Sequence, residues 1–199
     1  MLKFKHNTLF SIFSGENIDI AGCISSCLVQ EGVNPYLFVC HSERGNSYYT
    51  SKSLCENPTI YEPELVVSKN MMITFKTEEG NDVRRAINFG LENKCKYFCF
   101  IYVPSILDKQ FCDRSIKELK DEVIGTYSNL MDSGKPIYTN ICNGNINAGP
   151  VFMITEKWAK TFNFPLMGDF LRHLTYNGAF YHFDEFLIRN QWTKILSKN

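Results

Sequence analysis

Glu79–Leu107 reads EGNDVRRAINFGLENKCKYFCFIYVPSIL, and this stretch decides the fold. Gly80 opens a helical segment over Asp82–Asn93. Lys96–Val103 (KYFCFIYV) follows as the most apolar run of the chain. A run of that length, flanked by a helix and ended by Pro104, reads as a strand. Working outward, Thr8–Ser14 (TLFSIFS), Tyr36–Cys40 (YLFVC) and Met71–Phe75 (MMITF) repeat the strand pattern. Between the first two, Ile18–Gln30 has helical spacing, with Ile20, Ile24, Cys27 and Leu28 expected to face inward, and Gly32, Asn34 and Pro35 end it. Residues 41–64 are polar and turn-rich and carry no assignable period. Farther on, Lys109–Glu122 is expected to be helical through Phe111, Ile116 and Leu119. Val151–Ile154 reads as a buried strand and Glu156–Phe162 as a short helix. Leu166–Leu196 alternates aromatic and helical stretches. Strands alternating with helices predict an α/β chain with a mostly parallel, Rossmann-like sheet covered by helices, in a single domain over 1–199.

Bulk properties narrow the function. The chain of 199 residues is 44% hydrophobic, with 16 Phe and 10 Tyr. Its 21 basic and 21 acidic residues cancel, so no global field draws it to nucleic acid or to an anionic membrane. No apolar stretch approaches the ~20 residues of a membrane span, and Leu9–Phe13 is too short for the core of a signal peptide. Eight cysteines are present without a C-x-x-C or zinc-type spacing, and several fall on apolar faces. They are expected to be reduced core thiols, which places the protein in a reducing, cytoplasmic compartment.

Three blocks resemble the family-2 glycosyltransferases of the GT-A fold. LFSIFSGEN (Leu9–Asn17) is similar to that family's opening strand and turn. SCLVQEGVNPYLFVCHSE (Ser26–Glu43) is similar to its first helix and second strand. EGNDVRRAINFGLENKCKYFCFIYVPSIL supplies its glycine turn, helix and central strand, with Gly80, Ala86, Asn88, Gly90 and Leu91 in place. The resemblance implies a nucleotide-binding half over 1–107 and an acceptor-side half over 108–199. It carries nucleotide binding onto Ser14, Asn17, His41, Arg84, Asn88 and Tyr102. Asn145–Ile154 (NINAGPVFMI) resembles the turn that shapes the donor-sugar and acceptor site, which points to Asn147 and Gly149. Tyr181–Trp192 (YHFDEFLIRNQW) resembles the acidic motif that opens a late helix, and it nominates Asp184 and Glu185 as the base that deprotonates an acceptor hydroxyl.

The chain departs from the family at two places. Cys40-His41-Ser42 stands where a carboxylate would meet the base. Tyr102-Val103-Pro104 stands where a D-x-D would hold a divalent cation, and no D-x-D occurs anywhere. The expectation is therefore no divalent metal, because the position offers no hard anionic oxygens. Lys76, Arg84 and Arg85 are the basic residues expected near the crevice. Two functions stay open on these residues. One is a glycosyltransferase using a nucleotide-sugar donor and an unknown acceptor without a metal. The other is a non-catalytic module that holds a nucleotide, glycan or protein in the same crevice. A dinucleotide-binding enzyme is disfavoured, since no G-x-G-x-x-G is present.

Overall fold

The computed structural model describes residues 5–14, 20–61, 65–77, 81–101, 105–119, 123–128, 130–132, 135–137, 141–142, 145–146, 151–164, 170, 173–174, 177, 179–183 and 188–190. In chain order the elements are β1 (His6–Ser14), α1 (Ala21–Leu28), β2 (Val33–His41), α2 (Asn46–Ser53), β3 (Thr59–Tyr61), β4 (Leu65–Val67) and β5 (Met71–Phe75). Then come α3 (Asp82–Glu92), β6 (Tyr97–Ile101), β7 (Ser105–Leu107), α4 (Phe111–Glu118), β8 (Val123–Ser128), β9 (Leu130–Asp132) and β10 (Lys135–Ile137). The last are β11 (Ile141–Cys142), β12 (Asn145–Ile146), β13 (Val151–Thr155), α5 (Glu156–Ala159), β14 (Ala179–Phe183) and β15 (Ile188–Asn190).

Nine of these strands form one sheet in the order β14-β8-β13-β6-β1-β2-β5-β4-β3. The four strands expected from the apolar runs are its centre, and β6, β1, β2 and β5 pair in parallel. β14 is parallel to β8, while β13 and β4 run against their neighbours. The sheet is thus mixed and mostly parallel, as the alternation of strands and helices predicts. It ends on β3, whose three residues are all exposed, Ile60 at 53% and Tyr61 at 57%.

Side chains alternate across this sheet, so each central strand feeds two cores. On one face Phe10, Ile12, Leu37, Val39, Cys99 and Ile101 meet Cys23, Ile24 and Cys27 of α1 and Phe111 of α4. On the other, Leu9, Phe38, Phe98, Phe100 and Phe152 meet Ala86 and Phe89 of α3. Each fully buried Phe contributes about 1.5–3 kcal/mol by leaving water. The two polar residues of the SCLVQ stretch join α1 to the segment before and within α4. Gln30 donates to the Ser26 and Asp108 carbonyls and accepts from the Cys112 amide. Ser26 Oγ donates to the Cys23 carbonyl and accepts from the Leu107 amide.

Several expectations needed correction. The inward stripe of α1 is Cys23, Ile24 and Cys27, continuing Ile20, while Leu28 is 41% exposed. The described part of the central strand is Tyr97–Ile101, with Tyr102 and Val103 of the expected run outside the described residues, and Ser105–Leu107 pairs with β15 rather than in the main sheet. The late helix expected beyond Asp184 is not formed at Ile188–Asn190, which is that antiparallel partner strand. Residues 41–64, unreadable in sequence, contain α2 and β3. The seven described cysteines are free and buried. No helix among the described residues is long and apolar enough to cross a membrane.

Candidate functional site

Parallel strands bring their carboxyl ends to one edge, and the crevice there collects ligands where the strand order reverses. In this sheet the order runs from β1 outward through β2 and β5, then returns to β6 on the other side of β1. The switch therefore lies between the ends of β1 and β6. Ser14 and His41 are register partners at the ends of β1 and β2. The Ser42 amide donates to the Ser14 carbonyl at 3.2 Å, and the Lys76 amide donates to the His41 carbonyl at 2.8 Å. Three strand ends are laced together by these bonds.

His41 is 2% exposed and lies edge-on to Tyr48, with Phe75 also against it. Its Nε2 is 3.1 Å from Ser51 Oγ, which itself donates to the Ser47 carbonyl at 2.9 Å. A serine hydroxyl has one proton to give, so Nε2–H of the imidazole is the donor. Nδ1 is then the bare acceptor nitrogen. Burial lowers the pKa of this ring to about 4, so it is neutral at physiological pH. Nearby, the Arg44 guanidinium lies 5.7 Å from the Phe75 ring centroid, and Lys76 is exposed.

The next layer is held by a buried carboxylate. Asp82 accepts from the amide and hydroxyl of Thr77 and pairs with Arg85 at 3.5 Å. Arg85 in turn donates to the Phe75 carbonyl and the Thr74 hydroxyl, fixing the end of β5. The Cys40 thiol beside this group is pushed up to about 12, first by burial and then by Asp82, so it stays protonated and is no nucleophile.

The structure brings Ser14 and His41 together. Arg84 and Asn88 lie four residues apart on α3 and are exposed there. Arg84 donates to Asn163 and lies over the Phe162 ring. Asn17, Tyr102, Asn147, Gly149, Asp184 and Glu185 lie outside the described residues, as do Val103 and Pro104. Their flanking strands do define an edge. Tyr102 follows Ile101, and Ile101 pairs with Val151, the residue that opens β13 two positions after Gly149. Phe183 pairs with Ser128, which also pairs with Val151, and Asp184 follows Phe183. Sequence reasoning missed Ser47 and Ser51, the partners that set the His41 tautomer, and gave Arg84 and Arg85 the same part. Nothing in the polar run 41–64 signals those serines, since a Ser face has no hydrophobic period.

Among the described residues, no group of three or more His, Cys, Asp or Glu side chains is arranged to hold a metal ion. No protein-family model and no curated protein matches the chain. Among solved structures, the 4-diphosphocytidyl-2C-methyl-D-erythritol synthase of Anaerococcus prevotii is similar in fold, with a TM-score of 0.53. That likeness covers 90% of this chain and 86% of the synthase at 8% sequence identity.

Proposed function

We propose that the chain is a transferase that binds a nucleotide-sugar at the carboxyl edge of its sheet and passes the sugar to an acceptor. One observation carries this reading. The strand ends next to Ser14, His41, Tyr102, Gly149 and Asp184 all meet the same edge of one sheet, linked by direct pairing. The fold it shares with a synthase named for a diphosphocytidyl product supports the nucleotide side of the reading. Strands β1, β2, β5 and β6 from residues 1–107 form the nucleotide half. Strands β8, β13 and β14 from 108–199 form the acceptor half. β14 is four strand spacings from β1, ~19 Å across the sheet, which separates the two functions.

In this mechanism the buried Ser14 and His41 shape the floor beneath the nucleoside, and Asn17 and Tyr102, which follow β1 and β6 in sequence, meet it. Lys76 and Arg44 offset the diphosphate charge in place of a cation. Asp184 or Glu185 takes the proton from the acceptor hydroxyl as its oxygen bonds to the anomeric carbon. The bond from that carbon to the diphosphate breaks, and the nucleoside diphosphate leaves with the electron pair. The rival reading, a binding module without catalysis, draws on Cys40-His41-Ser42 standing where the resemblance implies a carboxylate.

A thermal-shift screen of nucleoside diphosphates and their sugars, with and without manganese, separates these. A ligand at a hundred times its dissociation constant adds about 2.7 kcal/mol. The expected result is a response to one nucleotide, independent of manganese, in wild type and in Asp184→Asn and Glu185→Gln alike. Turnover in one of those two variants should fall about 10²–10⁴-fold. Full activity in both removes the proposed base. Silence across the whole panel favours a module for a protein partner.

A further inference from the structure

The amino edge of the sheet carries a cavity of about 490 Å³, lined by Asn34, Tyr36, Glu56, Asn57, Lys69 and Asn70. It lies where β2 and β5 begin, at the far end of the strands from His41. Its volume is within the range of roughly 300–1,000 Å³ typical of small-ligand sites.

The lining is chemically selective. Three asparagines line it, and a carboxamide carries both donors and an acceptor. The orientation of one is fixed: Asn34 Nδ2 donates to Asn7 Oδ1 at 2.9 Å, and Asn7 Nδ2 donates to the Asn93 carbonyl at 2.8 Å. Asn34 Oδ1 is thereby left as the free-standing acceptor of that carboxamide. Asn70 is anchored through its carbonyl, which accepts from the Leu37 amide at 2.8 Å. Asn57 holds a left-handed turn with φ +48°, a conformation that Asn tolerates better than most residues, and this turn brings Glu56 and Asn57 to the wall. Glu56 and Lys69 are both exposed and form no ion pair among the described residues. Their charges cancel, so an anion would meet Glu56 and a cation would meet Lys69. The half-buried Tyr36 ring adds one apolar face.

We propose that this cavity binds a neutral carbohydrate, a monosaccharide or short oligosaccharide. Each sugar hydroxyl donates and accepts at once, which matches carboxamides flanked by one carboxylate and one ammonium group. The C–H face of a pyranose covers the tyrosine ring. The site does not rest on the nucleotide reading and is remote from it.

The test is a titration of ¹⁵N-labelled protein with glucose, N-acetylglucosamine and maltotriose, with glycerol as a polyol control. The carboxamide resonances of Asn34, Asn57 and Asn70 report the site. The expected result is a saturable shift with at least one sugar and none with glycerol. Affinity should drop about tenfold or more in a Glu56→Ala/Lys69→Ala variant, the loss of one or two charged hydrogen bonds. Both positions are exposed, so that variant folds as wild type. Shifts that stay linear, match glycerol, survive the double substitution unchanged or fall only at the carboxyl edge would each overturn the proposal.

Discussion

His41 couples the folded state to pH. In the unfolded chain its ring protonates near 6.5, whereas in the folded chain burial delays this to about 4. Between those values the unfolded state binds more protons, so stability rises with pH through the window and is level above it. Taking the protein from pH 7 to pH 5 should therefore cost on the order of 2 kcal/mol through this one ring. Melting temperatures at both pH values, in wild type and His41→Gln, check it. The drop should be smaller in the variant by that amount, and equal drops would show that the ring is hydrated. The position of His41 was legible, because YLFVC marks a strand and the next residue must stand at its end. The partners of the ring were not, since Ser47 and Ser51 look like any polar loop until a helix aligns them.

At the level of elements, apolar content decided what could be read. β5 forms over the five residues of MMITF, and α3 begins at Asp82 as the glycine turn implies. α2 was invisible because NSYYTSKS buries Ser47, Tyr48 and Ser51, an inner face that is mostly hydroxyl. Leu28 was misread for a different reason. It adjoins the stripe Ile20, Cys23, Ile24 and Cys27, but one further residue turns the helix by about 100°. The contact between α3 and the sheet depends on Gly90. A Cβ there would come within 2.6 Å of Phe98 and 2.9 Å of Leu9, both fully buried. Gly90→Ala should destabilise by about 1–3 kcal/mol, since neither side chain has space to retreat. Urea denaturation measures this directly, and an unchanged midpoint would mean that α3 shifts freely on the sheet.

For the whole molecule, the two candidate sites occupy opposite edges of one sheet. From Asn34 to His41, β2 spans seven residue steps, ~23 Å. Effects at that separation with no shared partner are expected to add. A nucleoside diphosphate and a neutral sugar, each raising the melting temperature alone, should together raise it by the sum of their shifts. A combined shift well above or below the sum would mean that the sheet transmits binding from edge to edge. The sequence made the parallel centre of this architecture readable through four apolar runs. It hid the flanks, where β3, β4 and β7 have three residues each and pairing rather than composition makes the strand.

The outer edge of β3 has a practical consequence for anyone who concentrates this protein. Thr59, Ile60 and Tyr61 carry no charge, and among the described residues no strand pairs with their outer side. Backbone donors and acceptors on such an edge are templates for another chain, and natural sheets commonly guard them with lysine or proline. Here Pro58 guards the entrance alone. Net charge, which is zero, gives no long-range repulsion to keep such an edge from a second chain. Low concentration, or a pH that charges the surface, is expected to disfavour edge-to-edge pairing at β3.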